Sequence, residues 1–255
     1  TMDYNLLVDS TILVGEIMLK NGAETYIVEE TMDKLLKTTN MKHIEAVVMT
    51  TSITVTLSDP ELKHITAVSR IHERIMNLNR VYQVSNIVDD YSIGKITLEE
   101  LFHKLKKLKT FNQYNKILKD IALIFIPPLF TIMLNGRWID ALAAVFCGIV
   151  LVLMNKMFIF VQTNDFIKTL VTMFMATFVA GIFHKFIGVN VESVIIGVMM
   201  PFVPGIAVTN AARDFLTSDY MSGTARIVDA IMQALAVAIG VLLAMALGNL
   251  VLGGM

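Results

Sequence analysis

Charge thins out of this sequence at about position 117, and that limits what the chain can fold into. Of 21 Lys and Arg residues, 14 lie before that point, as do 15 of 22 Asp and Glu. Beyond it run apolar segments close to the roughly 20 residues that a helix needs to cross a hydrocarbon core. The chain is 55% hydrophobic with a mean hydropathy of +0.64, against about 45–50% apolar residues in ordinary soluble domains. The fold class predicted is an α-helical multi-pass membrane domain at 117–255, preceded by an α+β cytoplasmic domain at 1–116.

Five spans are predicted, about Ile117–Leu134, Asp140–Val161, Phe166–Phe186, Glu192–Val208 and Arg226–Leu252. The first has Pro127-Pro128 in its middle and a short apolar core. A basic run, Lys104, Lys106, Lys107, Lys109, Lys116 and Lys119, leads into it, and such a run marks the cytoplasmic side. Alternating the loops from there leaves Lys156, Lys168, Arg213 and Arg226 inside, only Arg137 and Lys185 outside, and the C-terminus outside. This puts the chain in a membrane, in contact with membrane lipid. The fifth span carries small residues in two rows, Ala230, Ala234, Ala238 and Ala236, Gly240, Ala244, Gly248. Small residues four apart let helix backbones approach closely, which predicts burial against other helices and a possible homo-oligomer.

Before position 117, apolar spacing predicts helices over 3–20 and 23–37, separated by the stop Asn21-Gly22. The acids Glu24, Glu29, Glu30 and Asp33 are expected to form a solvated face. Ile44–Thr51, Ile53–Leu57 and His64–Val68 are short, rich in Val, Ile and Thr, and read as strands. Two more helices follow, Asn79–Asp90 and Leu98–Lys109, the second opened by a capping box of Thr97 and Glu100. A net charge of −1 gives no reason to expect nucleic acid as a partner. The single Cys147 excludes an intrachain disulfide. His72-Glu73 opens a zinc-protease pattern, but Met76 stands where the second ligand belongs. No metal site, cofactor motif or catalytic constellation is found, so no cofactor and no enzyme are expected.

The stretch from Met199 to Ala230 is the candidate site. Pro201, Pro204 and Gly205 interrupt a span, then Thr209, Asn210, Arg213, Asp214, Asp219, Arg226 and Asp229 follow. Proline removes a backbone donor and breaks or kinks a helix. Freed backbone beside ionisable groups at membrane depth is tolerated only in protein or along a watery cavity. The alternative is a kinked helix followed by a solvated loop.

Three stretches resemble the threonine/serine exporter family, the ThrE-like proteins. They are Gly22-Ala23-Glu24-Thr25-Tyr26-Ile27-Val28-Glu29-Glu30-Thr31-Met32; Arg70 to Leu101, with Asn77-Leu78-Asn79-Arg80 and Gly94-Lys95-Ile96-Thr97; and Pro204-Gly205 through Thr209-Asn210, Arg213-Asp214 and Ser222-Gly223-Thr224-Ala225-Arg226. The resemblance implies a multi-pass inner-membrane exporter of threonine and serine, or of dicarboxylates such as succinate. Longer members carry a second, smaller membrane module. The chain ends at Met255 without one, so the expectation is the larger part of a two-part transporter working with a small membrane subunit.

Every substrate so implied carries a carboxylate, which a guanidinium grips through two parallel bonds. That makes Arg213 the first candidate binder. Asn210 and Thr209 could add neutral hydrogen bonds, and the break at Pro204 and Gly205 could add free backbone donors. Asp214, Asp229 and Glu192 are candidate proton carriers or partners to the arginines, with Lys156 a further ion-pairing group. Arg226 and Asp229, three apart on one helix, could equally pair only with each other. Two rival functions stand beside export: a membrane-anchored sensor or scaffold whose soluble domain binds a ligand or partner, and a membrane-bound hydrolase.

Overall fold

A computed structural model describes residues 3–39, 41–59, 62–71, 75–110, 115–161 and 163–253. The His72-Glu73 pair falls outside them. The chain forms two compact units. The first comprises 1–112 together with Thr209–Arg226, and the second 113–208 together with 227–255. An 18-residue segment from the apolar half thus belongs to the N-terminal unit.

In the first unit α1 (Tyr4–Lys20) opens on Asp3, whose carboxylate accepts from the backbone N–H of Asn5 and Leu6 at 3.0 and 3.2 Å. Such a cap satisfies donors that the first turn leaves orphaned, and is worth about 1 kcal/mol. The helix stops at Asn21-Gly22, with Gly22 at φ +90°, and α2 (Thr25–Leu36) follows. The strands β1 (His43–Met49), β2 (Ser52–Asp59) and β3 (Leu62–Arg70) form an antiparallel meander in that order. Its register runs from His43 opposite Ser58 to Met49 opposite Ser52, and from Ser52 opposite Arg70 to Leu57 opposite Ile65. Period-two alternation sends Ile53, Val55 and Leu57 into the core with Val48, while Val47 and Val68 stay exposed. The helices α3 (Leu78–Ser92) and α4 (Leu98–Thr110) complete the core with Val84, Val88, Leu101 and Leu105. The Thr97–Glu100 capping box forms reciprocally, at 3.0 and 3.3 Å.

The second unit holds α5 (Lys116–Met133), α6 (Trp138–Phe160), α7 (Asp165–Ile187) and α8 (Val191–Met199). Met200–Phe202 form a 3-10 turn, α9 runs Gly205–Leu216 and α10 runs Tyr220–Leu252. The chain passes between units within α9 and again within α10. By length and composition three helices among the described residues can cross a membrane: Trp138–Phe160, Asp165–Ile187 and Tyr220–Val251. A fourth span is possible if Val191–Phe202 and Gly205–Leu216, bent by 50°, count as one. The first predicted span corresponds to α5, whose 18 residues include Lys116, Lys119 and Asp120 and whose apolar stretch is correspondingly short.

Close backbone approaches occur within this unit at glycines of α8 and α10. A Cβ added at Gly197 of α8 would lie 2.6 Å from the Pro127 carbonyl oxygen of α5. One added at Gly240 of α10 would lie 2.5 Å from the Leu170 carbonyl oxygen of α7. The row Ala236, Gly240, Ala244 and Gly248 is buried throughout. Of the other row only Ala230 is buried, and Ala234 and Ala238 are exposed.

Candidate functional site

The broken span behaves locally as its sequence requires. Residues preceding proline favour extended backbone, and Val203 adopts φ −67°, ψ 120°. The helix resumes at Gly205, so Pro204 and Gly205 form a hinge between two helical pieces. Gln233 of α10 donates to the Phe202 carbonyl at 3.4 Å, satisfying one group released by the break.

Beside this break the second unit encloses a pocket of about 290 Å3. Asn155 of α6, Asp165, Lys168, Thr169 and Thr172 of α7, and Gln233 of α10 supply its polar lining. Leu123, Leu151, Pro201 and Phe202 supply the apolar remainder. Thr172 donates its hydroxyl to the Lys168 carbonyl at 2.7 Å, leaving its oxygen able to accept. No hydrogen bond or ion pair among the described residues engages the Lys168 ammonium. A lysine, one acid, a carboxamide pair and hydroxyls within one pocket can bind a small polar solute that carries a carboxylate and further hydrogen-bonding groups.

A second constellation lies in the N-terminal unit, where two of the motif stretches meet. Asn210 donates to the Gly22 carbonyl at 3.3 Å, and Arg226 Nη2 to the Ala23 carbonyl at 3.1 Å. Arg213 Nη1 bonds Glu24 Oε1 at 2.6 Å. Arg226 Nε bonds Asp214 Oδ2 at 2.8 Å, with both side chains buried. The Thr25 hydroxyl stands 3.1 Å from Asp214 Oδ1 and 3.0 Å from Asp219 Oδ2. Asp219 also accepts from the Ser222 N–H at 3.2 Å. Gly22 is required at its position: a Cβ there would be strained at positive φ and 2.7 Å from Met76 Sδ. These bonds form a latch holding residues 210–226 to the turn after α1.

Four of the ten predicted site residues gather there. Asn210, Arg213, Asp214 and Arg226 belong to the latch, and Thr209 lies one residue before Asn210. Arg226, for which Asp229 on the same helix is the local alternative, is bonded to Asp214. Asp229 is exposed on α10. Glu192 is exposed in the first turn of α8, where a negative charge suits the helix dipole. Lys156 pairs with Asp120 at 2.8 Å. The expected solvated acidic face of α2 is only partly so. Glu30 is exposed, but the Glu24 side chain is 12% exposed and bonded to Arg213. Glu29 is half-buried and accepts from the Val48 N–H at 2.9 Å. Burial pushes the Glu29 carboxyl above its ordinary range, and the negative charges of Asp219 and Asp33 add to this against the Val48 bond.

The sequence reading missed Glu24 and Thr25 as latch residues and the whole Lys168 pocket. A signal for the pocket existed: Asp165, Lys168, Thr169 and Thr172 recur at spacings of three and four along an otherwise apolar helix.

These features define a multi-pass membrane protein with a folded domain outside the membrane and a polar pocket among apolar helices. Among the described residues no cluster of three or more metal-ligating side chains occurs. The family model described as "Putative threonine/serine exporter" (ThrE) matches residues 9–248. The chain belongs to this family of membrane transporters. Among its relatives is a protein of Klebsiella aerogenes named "Probable succinate transporter subunit YjjP". It is 25% identical over 239 residues, covering 91% of this chain and 90% of the relative. The protein of the same name from Escherichia coli K12 is 23% identical over 246 residues, covering 94% and 93%. No solved structure matches the chain.

Proposed function

We propose that this chain exports small metabolites bearing a carboxylate, threonine and serine or a dicarboxylate such as succinate, across the inner membrane, in concert with a small membrane subunit. The observation that carries this reading is the pocket around Lys168. A cation among hydroxyls and carboxamides beside a broken helix suits a solute that must be held briefly and released. The names of the two YjjP relatives, each called a succinate transporter subunit, support both the substrate class and the partner. In this reading the Lys168 ammonium binds the carboxylate, and Asn155, Thr169 and Gln233 bond the rest of the solute.

The test is efflux over a panel of amino acids and dicarboxylates, from cells with and without the chain. Substrate affinity is then measured on Lys168→Ala and Lys168→Gln. A charge-assisted bond is worth about 1.5–3 kcal/mol, so both variants should weaken affinity by roughly ten- to a hundredfold while the protein stays in the membrane. Unchanged affinity in folded Lys168→Ala removes the pocket from the transport path.

A second reading, in which Arg213 captures the carboxylate, is favoured by one asymmetry. The Arg213 side chain is 56% exposed, whereas its partner Glu24 is nearly buried. One Nη donor is used on Glu24, and a guanidinium has others to offer. Here Thr209, Asn210 and the Pro204-Gly205 hinge position the arginine, and Asp214 carries a proton. Thr25 has one hydroxyl hydrogen facing two carboxylate oxygens, so a proton on Asp214 or Asp219 would let both contacts be full hydrogen bonds. Arg213→Lys keeps the charge but loses the planar fork, and this reading requires it to fail as fully as Arg213→Ala.

A further inference from the structure

The Lys168 pocket holds a second charge that the transport reading leaves unused. Asp165 lines the same walls, three residues before Lys168 on α7. Opposite charges three apart on a helix are neighbours and ordinarily pair. These two do not: among the described residues neither side chain makes an ion pair or a hydrogen bond. Gln162, which lies outside the described residues, is uncharged and offers neither of them a counter-ion. Among the described residues no other acid and no other cation lines the pocket.

The helix itself does not account for the two charges. Asn164 already caps α7, accepting from the Phe166 N–H at 3.1 Å. A cation in the first turn gains nothing from the helix dipole. An acid there does suit the dipole, but that role would not depend on which solute the pocket holds. The pocket thus offers one positive and one negative group to a single solute. Its volume of about 290 Å3 lies at the low end of the roughly 300–1,000 Å3 of small-molecule sites, which suits a solute of few atoms. A solute with two carboxylates can place only one on Lys168, and the charge of Asp165 repels the other. A solute with one carboxylate and one ammonium meets an opposite charge at each end. Thr172 spends its hydroxyl hydrogen on the Lys168 carbonyl, and Gln233 its amide nitrogen on the Phe202 carbonyl. The Thr172 oxygen and Gln233 Oε1 therefore keep the capacity to accept from an ammonium.

We propose that Asp165 is the specificity-determining residue of this pocket: its carboxylate receives the ammonium of a zwitterion whose carboxylate Lys168 holds, so the pocket selects an amino acid over a dicarboxylate. The assignment rests on the reading of the Lys168 pocket as the transport site, and it narrows the class of solute carried there.

The test measures binding to the full chain in detergent by calorimetry. Serine, glycerate and succinate are the probes, glycerate being serine with a hydroxyl in place of the ammonium. Serine should bind at least tenfold more tightly than either of the others. Asp165→Asn keeps the size of the side chain and should lower the ratio of serine to succinate affinity tenfold or more. Asp165→Lys should invert that ratio. Circular dichroism verifies each fold, and either folded Asp165 variant suffices for the comparison. Lys168→Ala should weaken serine and succinate alike, since each places a carboxylate on the lysine. If Lys168→Ala leaves every affinity unchanged, or if none of the probes binds, the pocket is not the transport site and the assignment falls with it. If Lys168→Ala weakens binding but the Asp165 variants leave the ratio as it was, the pocket stands and the assignment alone is overturned. A lowered thermal midpoint with that unchanged ratio would mark Asp165 as a group that serves only the helix. A preference of the unaltered chain for succinate over serine likewise overturns the assignment and leaves the pocket in place.

Discussion

At the scale of single residues, the acids of the N-terminal unit divide by environment, and the division makes stability depend on pH in opposite directions. Burial raises the Glu16 carboxyl, but bonds from Lys109 and the Ser69 hydroxyl outweigh it and hold it below its ordinary value of 4.5. It therefore contributes stability above that value and loses it as pH falls through the lowered pKa. Glu29 is raised above the same value. Its contribution is complete below pH 4.5 and is lost as pH rises through the raised pKa, so at neutral pH its ionised form costs stability. Gln at position 29 retains an oxygen to accept the Val48 N–H and removes the repulsion from Asp219 and Asp33. Glu29→Gln should therefore raise the thermal midpoint by a few degrees at pH 7–8, and the gain should vanish below about pH 4. Melting curves at both pH values check this. A gain of equal size at both would mean that packing, not charge, is responsible. Glu16→Gln should do the reverse, lowering the midpoint at pH 7, with the loss shrinking as pH falls below 4.5.

Between elements, the decisive contact is the latch, and the Arg226–Asp214 pair is its buried core. Removing one partner of a buried ion pair leaves an uncompensated charge and typically costs about 3–5 kcal/mol. Asp214→Asn and Arg226→Gln should each destabilise the N-terminal unit by amounts of that order. The double variant should lose less than the sum, because neither charge is then stranded. Additive losses in a double-mutant cycle would show that the two side chains act independently. This contact also shows how far the sequence could be read. Helices, strands and the Thr97 cap follow from periodicity and local chemistry, and they form where predicted. The break at Pro201 and Pro204 is likewise local. The latch is not: Thr25 and Asp214 are 189 residues apart, and each has local alternatives that look equally sound. Arg226 had Asp229 on its own helix face, and Glu24 had solvent. Only the fold brings Asp214 to Arg226 and Arg213 to Glu24. The Lys168 pocket was hidden for a related reason. Its polar residues come from α6, α7 and α10, and each looks minor within its own helix.

For the whole molecule, the question is whether one chain suffices for transport, and α10 bears on it. One of its small-residue rows, Ala236, Gly240, Ala244 and Gly248, is buried within the chain. The other leaves Ala234 and Ala238 uncovered, one turn apart. Lipid tails gain nothing from a small side chain, whereas another helix can approach closely there. Two relatives are named as probable succinate transporter subunits. The two rows should then respond differently to the same substitution. Ala236→Leu overpacks the chain's own interior and should lower the thermal midpoint of the purified protein. Ala238→Leu has no interior to disturb and should leave that midpoint unchanged, while reducing efflux in cells severalfold or more by obstructing the partner helix. Reconstituting the purified chain alone supplies the complementary measurement, with weak flux expected until the partner is added. Full transport by the lone chain, together with normal efflux from Ala238→Leu cells, would make α10 a lipid-facing helix and the partner unnecessary.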